Sequence, residues 1–318
     1  MLELSKLYKT AGACGAALLV MAAGLSARQP RTNVRMSGTR ISTISHGPVK
    51  QCSDIDVSFD HGARVAHAEQ TITIPRASAP VLRAHLSGAS GISISTGSGA
   101  DYSVIACKYA AATYASSSNE NLDAISVTVQ NGEIHTKVPD DDNWLLYLII
   151  HAPAGAEFDV STHNGPLELN DLSGKITAHV ENGPLSIDHC TGEVDGSAVN
   201  GPLSIKGSSG QMHVRTENGP LSVKLEGNQW KNGALEGTTH NGPLSLGVDT
   251  GYLSGVLLQT DGYSPMSCHA AACSDAQRTW DDNSRRIEIG KQPVVIHLST
   301  HNGPVSVNSR SSSSDEME

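Results

Sequence analysis

The chain contains 318 residues, of which 38% are hydrophobic and 4% aromatic, and it carries a formal net charge of −10. With 31 glycines and only two phenylalanines, this composition argues against a helical globule and favours short strands joined by tight turns. The acidic balance and the lack of any basic run argue against nucleic-acid binding.

The first 27 residues have the pattern of an export signal. Lys6 and Lys9 precede an apolar run over residues 11–25, and Ala27 offers a small residue for cleavage. The run is short for a membrane span, and an uncleaved anchor is the alternative. We predict a signal peptide at residues 1–27. The mature protein then has no transmembrane domain and is located in the periplasm, the cell envelope or the extracellular space.

The region between this signal and the later repeat is less regular. Residues 28–70 are polar and poorly periodic, so they are left unassigned as an N-terminal arm. Residues 71–156 contain irregular strand patterns, including the apolar segment "LLYLII" at residues 145–150, which is typical of a strand buried on both faces. We expect this region to cap the repeat that follows.

Residues 157–308 contain a repeat with a period of 18 residues. Apolar and polar residues alternate within each unit, as in Ile176, Ala178 and Val180, and the apolar positions align from one unit to the next. Such alignment is typical of coils stacked about 4.8 Å apart. We therefore predict an all-β fold, a β-helix-like solenoid with rungs of about 18 residues and two short strands per rung. The handedness stays open, with right-handed winding favoured.

The tripeptide Asn-Gly-Pro marks one corner of each coil. It begins at Asn164, Asn182, Asn200, Asn218, Asn241 and Asn302. Asparagine and glycine tolerate left-handed backbone angles, and proline suits the first position of a strand. Stacked asparagines can also hydrogen-bond along the axis. The rival interpretation is an antiparallel meander, because Asn-Gly also favours hairpins. The Leu-Ser that follows most copies favours the stack.

Five cysteines follow the predicted signal peptide. Cys268 and Cys273 lie in a segment at about residues 260–285 that interrupts the repeat, and we predict a disulfide that staples this insertion as a side excursion. By elimination, Cys52 and Cys107 form a second candidate pair. Cys190 is then left without a partner. Because it occupies the position that Leu172 has in the preceding unit, and that position points inward, we expect its thiol to be buried. Residues 309–318 are expected to form a disordered tail.

The Asn-Gly-Pro repeats, the segment Ala-Pro-Ala-Gly at residues 152–155 and the export signal resemble the bacterial "putative adhesin" family of repeat β-strand proteins, a domain of unknown function. The resemblance covers roughly residues 70–308. It implies a β-helix-like solenoid in the cell envelope. It implies no catalytic motif, and the cysteine-stapled insertion departs from the family pattern.

Two outward rows of residues are candidate chemical sites. One row places His213 between Asp195 and Glu236, with the carboxylates roughly 9.5 Å apart over two rungs, at the wide end of the range for inverting glycosidases. A surface charge pattern is the simpler interpretation. A second row contains His163, Glu181, Val199, Glu217, His240 and His301. In this row His240 and His301 become neighbours only if the insertion loops out, and two ligands make a weak metal site.

The sequence therefore predicts no catalytic residues, no cofactor and no metal. It favours a non-enzymatic exported, adhesin-like scaffold or interaction module of unknown partner, for which an envelope protein and a surface glycan are the candidates. The alternative is a carbohydrate-active β-helix enzyme, a lyase or a glycoside hydrolase, that uses outward carboxylates.

Overall fold

The computed structural model describes residues 33–36, 39–43, 49–59, 64–112, 115–140, 143–261, 264–281 and 284–310. The predicted signal peptide and residues 311–318 lie outside this set. Within it nearly all regular structure is β, and one α-helix, α1 (Ala115–Ala124), was not predicted from the sequence. The fold is thus an all-β solenoid, as predicted.

In the described part of the chain, nine strands precede the repeat. The first three form a small antiparallel sheet, the N-terminal sheet: β1 (Asn33–Met36), β2 (Thr39–Thr43) and β3 (Ile55–Phe59). The next six are β4 (Arg64–Ile74), β5 (Val81–Thr96), β6 (Tyr102–Ala112), β7 (Ser126–Gln130), β8 (Glu133–Lys137) and β9 (Trp144–Ala152). The boundary expected at residue 70 falls inside β4, which pairs along its whole length with β6.

Each repeat unit forms one rung with two strands. The first strands are β10 (Glu157–Asn164), β12 (Lys175–Asn182), β14 (Glu193–Asn200), β16 (Gln211–Asn218) and β18 (Leu235–Asn241). The second strands are β11 (Leu167–Asn170), β13 (Leu185–Asp188), β15 (Leu203–Gly207), β17 (Leu221–Leu225) and β19 (Leu244–Val248). We call the sheet of first strands sheet I and the sheet of second strands sheet II.

Every rung pairs in parallel with the next, which rules out the meander. Ile176 of β12, for example, lies opposite Phe158 on one side and Val194 on the other, an offset of 18 residues each way. The long strand β5 is the rung before β10, since its first half pairs with β10 and its second half with β11. The solenoid therefore begins one rung before the first Asn-Gly-Pro.

The insertion is not a side excursion, and this prediction was wrong. The remaining strands are β20 (Gly255–Asp261), β21 (Met266–Cys268), β22 (Gln277–Trp280), β23 (Ser284–Ile289), β24 (Val294–Asn302) and β25 (Val305–Ser309). The final repeat copy, β24 and β25, stacks directly on β18 and β19. Strands β20 and β21 then form the next rung beyond β24 and β25, and the hairpin β22–β23 extends sheet I further.

The corner glycines are required by close stacking. A Cβ at Gly219 would lie 2.0 Å from the carbonyl oxygen of Gly201, and one at Gly242 would lie 2.1 Å from that of Gly219. The corner asparagines, in contrast, are absent from the residues with positive φ, so the expected left-handed angles are not their role. Their side chains form a continuous ladder instead, in which each amide donates to the side-chain oxygen of the preceding rung at 2.9–3.0 Å.

The main core lies between the two sheets and runs the length of the solenoid. It is built from the inward apolar residues of every rung, such as Val160, Leu185 and Leu203. A second, smaller core lies outside sheet II, where Phe59 and Ile55 pack on Tyr147 and Leu145. The N-terminal segment thus covers the outer face of the capping strands.

Candidate functional site

The outer face of sheet I carries the residues singled out from the sequence. On each first strand the side chains alternate, so that Lys175, Thr177, His179 and Glu181 point outward while the residues between them are buried. Because the strands are parallel and in register, outward residues of successive rungs form rows along the solenoid axis. We call this surface the sheet I face.

The three catalytic candidates lie side by side on this face. Asp195 lies opposite His213, and His213 lies opposite Glu236 on the next rung. The Nδ1 atom of His213 is 3.0 Å from a carboxylate oxygen of Glu236, and the side chains are 52% and 58% exposed. An acid–base pair needs a position that shields it from water and holds a substrate against it. On an open sheet surface, this row holds one exposed contact between an imidazole and a carboxylate, that of His213 with Glu236.

The second histidine row places His240 against His301. Their rings stack with centroids 4.7 Å apart and an interplanar angle of 8°. His301 Nδ1 also lies 2.5 Å from a carboxylate oxygen of Asp261 on the following rung. Stacked rings present their nitrogens side by side and not toward one point. Among the described residues no group of three His, Cys, Asp or Glu is placed to hold a metal ion.

A groove crosses this end of the sheet I face. Its volume is about 400 Å³, and it is lined by residues that include Arg215, Thr238, His240, Gln259 and His301. A second depression of about 260 Å³ adjoins it and shares Thr238, Gln259 and Ser299 with it. The groove forms because a row of short side chains, Thr238 and Ser299, runs between two rows of longer ones. Sequence reasoning did not find the groove, because Thr238 and Ser299 become neighbours only when β24 stacks on β18.

The outer face of sheet II is different in character. Its central row consists of the serines that stand two positions after the corner prolines. Consecutive serines of this row lie opposite one another on neighbouring rungs. They are Ser186, Ser204, Ser222, Ser245 and Ser306. Glu168 lies in the same row, between Ser93 and Ser186. Burial raises the pKa of the Glu168 carboxyl to about 7, and a hydrogen bond from the Val49 backbone amide opposes this rise.

Cys190 is a free cysteine and is buried in the main core. Burial raises the pKa of its thiol to about 12, so the reactive thiolate is strongly disfavoured. Its neighbour His189 is exposed and turns outward, with Nε2 2.9 Å from a Glu226 carboxylate oxygen. Because neighbouring side chains point in opposite directions here, the His189 imidazole is kept away from the Cys190 thiol. Cys190 packs as a small hydrophobic residue.

Both predicted cysteine pairs are disulfides in the structure. Cys52–Cys107 fastens the N-terminal segment to β6, and Cys268–Cys273 closes the turn after β21. Structural disulfides are typical of proteins that fold in oxidising compartments, which supports export. Among the described residues, no helix has the length and hydropathy needed to span a membrane. Of the tail expected at residues 309–318, only Ser309 and Arg310 are described, and Arg310 Nη2 lies 2.8 Å from a carboxylate oxygen of Asp249.

No family model matches the chain, and no curated protein matches it. Two solved structures show a low similarity. A "putative cell adhesion protein" from Clostridium sporogenes ATCC 15579 is 12% identical with a TM-score of 0.34, over 77% of this chain and 100% of its own. A "putative adhesin" from Bacteroides fragilis NCTC 9343 is 10% identical with a TM-score of 0.27, over 76% of this chain and 97% of its own. Similarity at this level does not establish a shared function.

Proposed function

We propose that this protein is a non-enzymatic, exported, adhesin-like module that binds a surface partner through the sheet I face. The observation that carries this proposal is the groove on that face, which spans the rungs of β16, β18, β24 and β20. A solenoid repeats the same outward positions at a fixed spacing, so it presents a row of similar contacts to an extended partner.

The chemistry of the groove suits a polar partner. Its lining combines hydroxyl, amide, imidazole and guanidinium groups, for example on Thr238, Gln259, His301 and Arg215. These groups donate and accept hydrogen bonds in many geometries. A surface glycan or the polar surface of an envelope protein fits this set, and the two disulfides support a location in the periplasm, the envelope or the extracellular space.

The enzyme alternative rests on Asp195, His213 and Glu236 and has less support. The side chains of His213 and Glu236 are more than half exposed, whereas a glycosidase or lyase encloses its acid and base around the substrate. Incubation of the protein with a panel of polysaccharides would test the alternative. We expect no shortening of any chain and no new reducing ends. Cleavage that disappears in Asp195→Asn would favour the enzyme.

The proposed function is tested by adhesion. Beads coated with residues 28–318 should be retained on whole bacterial envelopes or on glycan-coated surfaces, and beads coated with the heat-unfolded chain should not. Retention that is the same for the folded and the unfolded chain would contradict the proposal.

A further inference from the structure

Histidines are concentrated on the sheet I face. Of the 14 histidines in the chain, eight project outward from described strands of this sheet: His85, His135, His163, His179, His213, His240, His297 and His301. Histidine is the side chain whose ordinary pKa allows it to gain a proton between pH 8 and pH 5. The charge of this face is therefore set by pH to an unusual degree.

The fixed charges on the same face make it acidic at neutral pH. The outward carboxylates of the described strands are Glu133, Glu157, Asp159, Glu181, Glu193, Asp195, Glu217, Glu236, Asp261 and Glu288. The outward cations are Arg83, Lys137, Lys175, Arg215 and Arg286. Ten carboxylates against five cations give a net charge of −5 with neutral histidines. Eight protonated histidines change it to +3, so acidification reverses the sign.

The histidines are placed so that protonation also neutralises the carboxylates beside them. His163 Nδ1 lies 2.5 Å from Glu181, His213 Nδ1 lies 3.0 Å from Glu236, and the contact between His301 and Asp261 is of the same kind. At neutral pH these carboxylates repel an anionic polymer. Once the neighbouring imidazole carries a proton, each pair is neutral and the remaining cations determine the potential.

Protonation of the histidines has its largest effect on a ligand in the groove. His240 and His301 line it on one side, and His297 lines the adjoining depression on the other side of Thr238 and Ser299. Arg215 lies at one end, and Arg286 lies opposite Gln259 one rung beyond the other end. Glu217, Glu236 and Asp261 are the carboxylates in these walls. In acid the three histidines offset the three carboxylates of these walls, so Arg215 and the adjacent Arg286 give the groove a net positive charge above a floor of hydroxyl and amide groups.

We propose that the sheet I face binds an acidic polysaccharide and that it does so at acidic and not at neutral pH. Carboxylates of the sugar chain would meet protonated histidines and the two arginines, while sugar hydroxyls would hydrogen-bond to Thr238, Ser299 and Gln259. This inference rests on the proposed function, since it names the partner class of the same face. A polymer is favoured over a small acid because the groove is open and crosses several rungs.

The experiment measures binding of residues 28–318 to immobilised polygalacturonate at about pH 5 and about pH 7.5 and at constant ionic strength. We expect binding to be at least about tenfold tighter at the lower pH and to weaken in high salt. Neutral dextran should not bind at either pH. Vesicles of anionic phospholipid serve as a second anionic surface, and equal acid-dependent binding to them would overturn the assignment to a polysaccharide.

A triple variant tests whether the histidines of the groove cause the acid-dependent binding. It carries His240→Asn, His297→Asn and His301→Asn. It should bind at about pH 5 no better than the wild-type chain binds at about pH 7.5. The matched control, His67→Asn, His189→Asn and His269→Asn, removes three exposed histidines from other surfaces and should bind as wild type. Thermal unfolding of both variants verifies that they are folded.

The outcomes separate this inference from the proposed function. Beads that adhere to envelopes while the chain shows no acid-dependent binding to polygalacturonate would overturn the inference and leave the adhesin-like role in place. Beads that adhere to no surface at either pH would contradict both. Acid-dependent binding that survives the triple variant would overturn the assignment to the groove.

Discussion

The side-chain amide of Asn302 donates a hydrogen bond to the side-chain oxygen of Asn241 at 2.9 Å, although 61 residues separate them in the chain. The contact continues the asparagine ladder across the point where the repeat is interrupted. It requires the final copy, β24 and β25, to be inserted between β18–β19 and the rung formed by β20 and β21. The spatial order of the last three rungs therefore differs from their order in the chain. The rung of β20 and β21 is the outermost of the three, although the rung of β24 and β25 follows it in the chain.

The ladder is expected to contribute measurably to stability. Asn218 donates to Asn200 and accepts from Asn241, so Asn218→Ala removes two hydrogen bonds and leaves two groups without their partners. We expect a loss of about 1–3 kcal/mol in the free energy of unfolding, measured by urea denaturation. Ser222→Ala, on the outward serine row of sheet II, is the control and should cost less than about 0.5 kcal/mol. Equal effects would show that the ladder is incidental.

The corner glycines should tolerate no side chain. In Gly219→Ala the new methyl carbon would lie 2.0 Å from the carbonyl oxygen of Gly201 and 2.5 Å from its carbon, so the backbone of two rungs must move apart. We expect a loss of about 3 kcal/mol or more, seen as a lower midpoint of thermal unfolding. The matched control is Gly247→Ala, whose nearest contact would be 3.6 Å away, and which should be close to neutral. An unchanged midpoint for Gly219→Ala would contradict the stacking of these corners.

Glu168 should make stability depend on pH. Its pKa is about 7 in the folded protein and 4.5 ordinarily, so the folded state holds the proton more tightly than the unfolded state. The proton therefore favours folding, and the free energy of unfolding falls as pH rises from about 4.5 to about 7, by up to about 3 kcal/mol. Glu168→Gln removes this ionisation. We expect the variant to be more stable than wild type at about pH 8 and similar to it at about pH 4.

Chemical unfolding at several pH values provides the measurement for Glu168. A difference between Glu168→Gln and the wild-type chain that stays constant with pH would show that the carboxyl is not the titrating group.

The thiol of Cys190 should be protected in the folded protein. Because it is buried and its pKa is raised to about 12, alkylation at neutral pH should be slow until the chain unfolds. The measurement follows iodoacetamide labelling by mass spectrometry, with and without urea. Rapid labelling of Cys190 in the native protein would place this corner outside the core.

The 18-residue period predicted the rungs, their parallel stacking and the inward position of Cys190, because a solenoid repeats its register along the chain. The same period did not show that β20 and β21 form a rung. There the corner Asn-Gly-Pro is replaced by a segment from Asp261 to Pro265, and the rung is stacked out of chain order. The sequence pattern contains the strand alternation of "VLLQT" but no signal for that order.

Features that depend on contacts between residues far apart in the chain could not be predicted from the sequence either. Burial of Glu168 results from the Val49 segment lying over sheet II, a contact between residues more than a hundred positions apart. The groove depends on short side chains from β18 and β24 being neighbours, which follows only once the return of the chain is known. The outward row of Asp195, His213 and Glu236, in contrast, comes from rungs that stack in chain order.

The central claim is that partners bind the sheet I face, and paired surface variants test it most directly. Thr238→Trp with Ser299→Trp fills the groove on two consecutive rungs, and Ser222→Trp with Ser245→Trp makes the same change on two consecutive rungs of sheet II. The measurement is retention of protein-coated beads on the surface to which the wild-type chain adheres. We predict that the first pair lowers the affinity about tenfold or more, equivalent to about 1.4 kcal/mol, and that the second pair leaves it unchanged. Loss of adhesion in the second pair, with the first pair unaffected, would contradict the account.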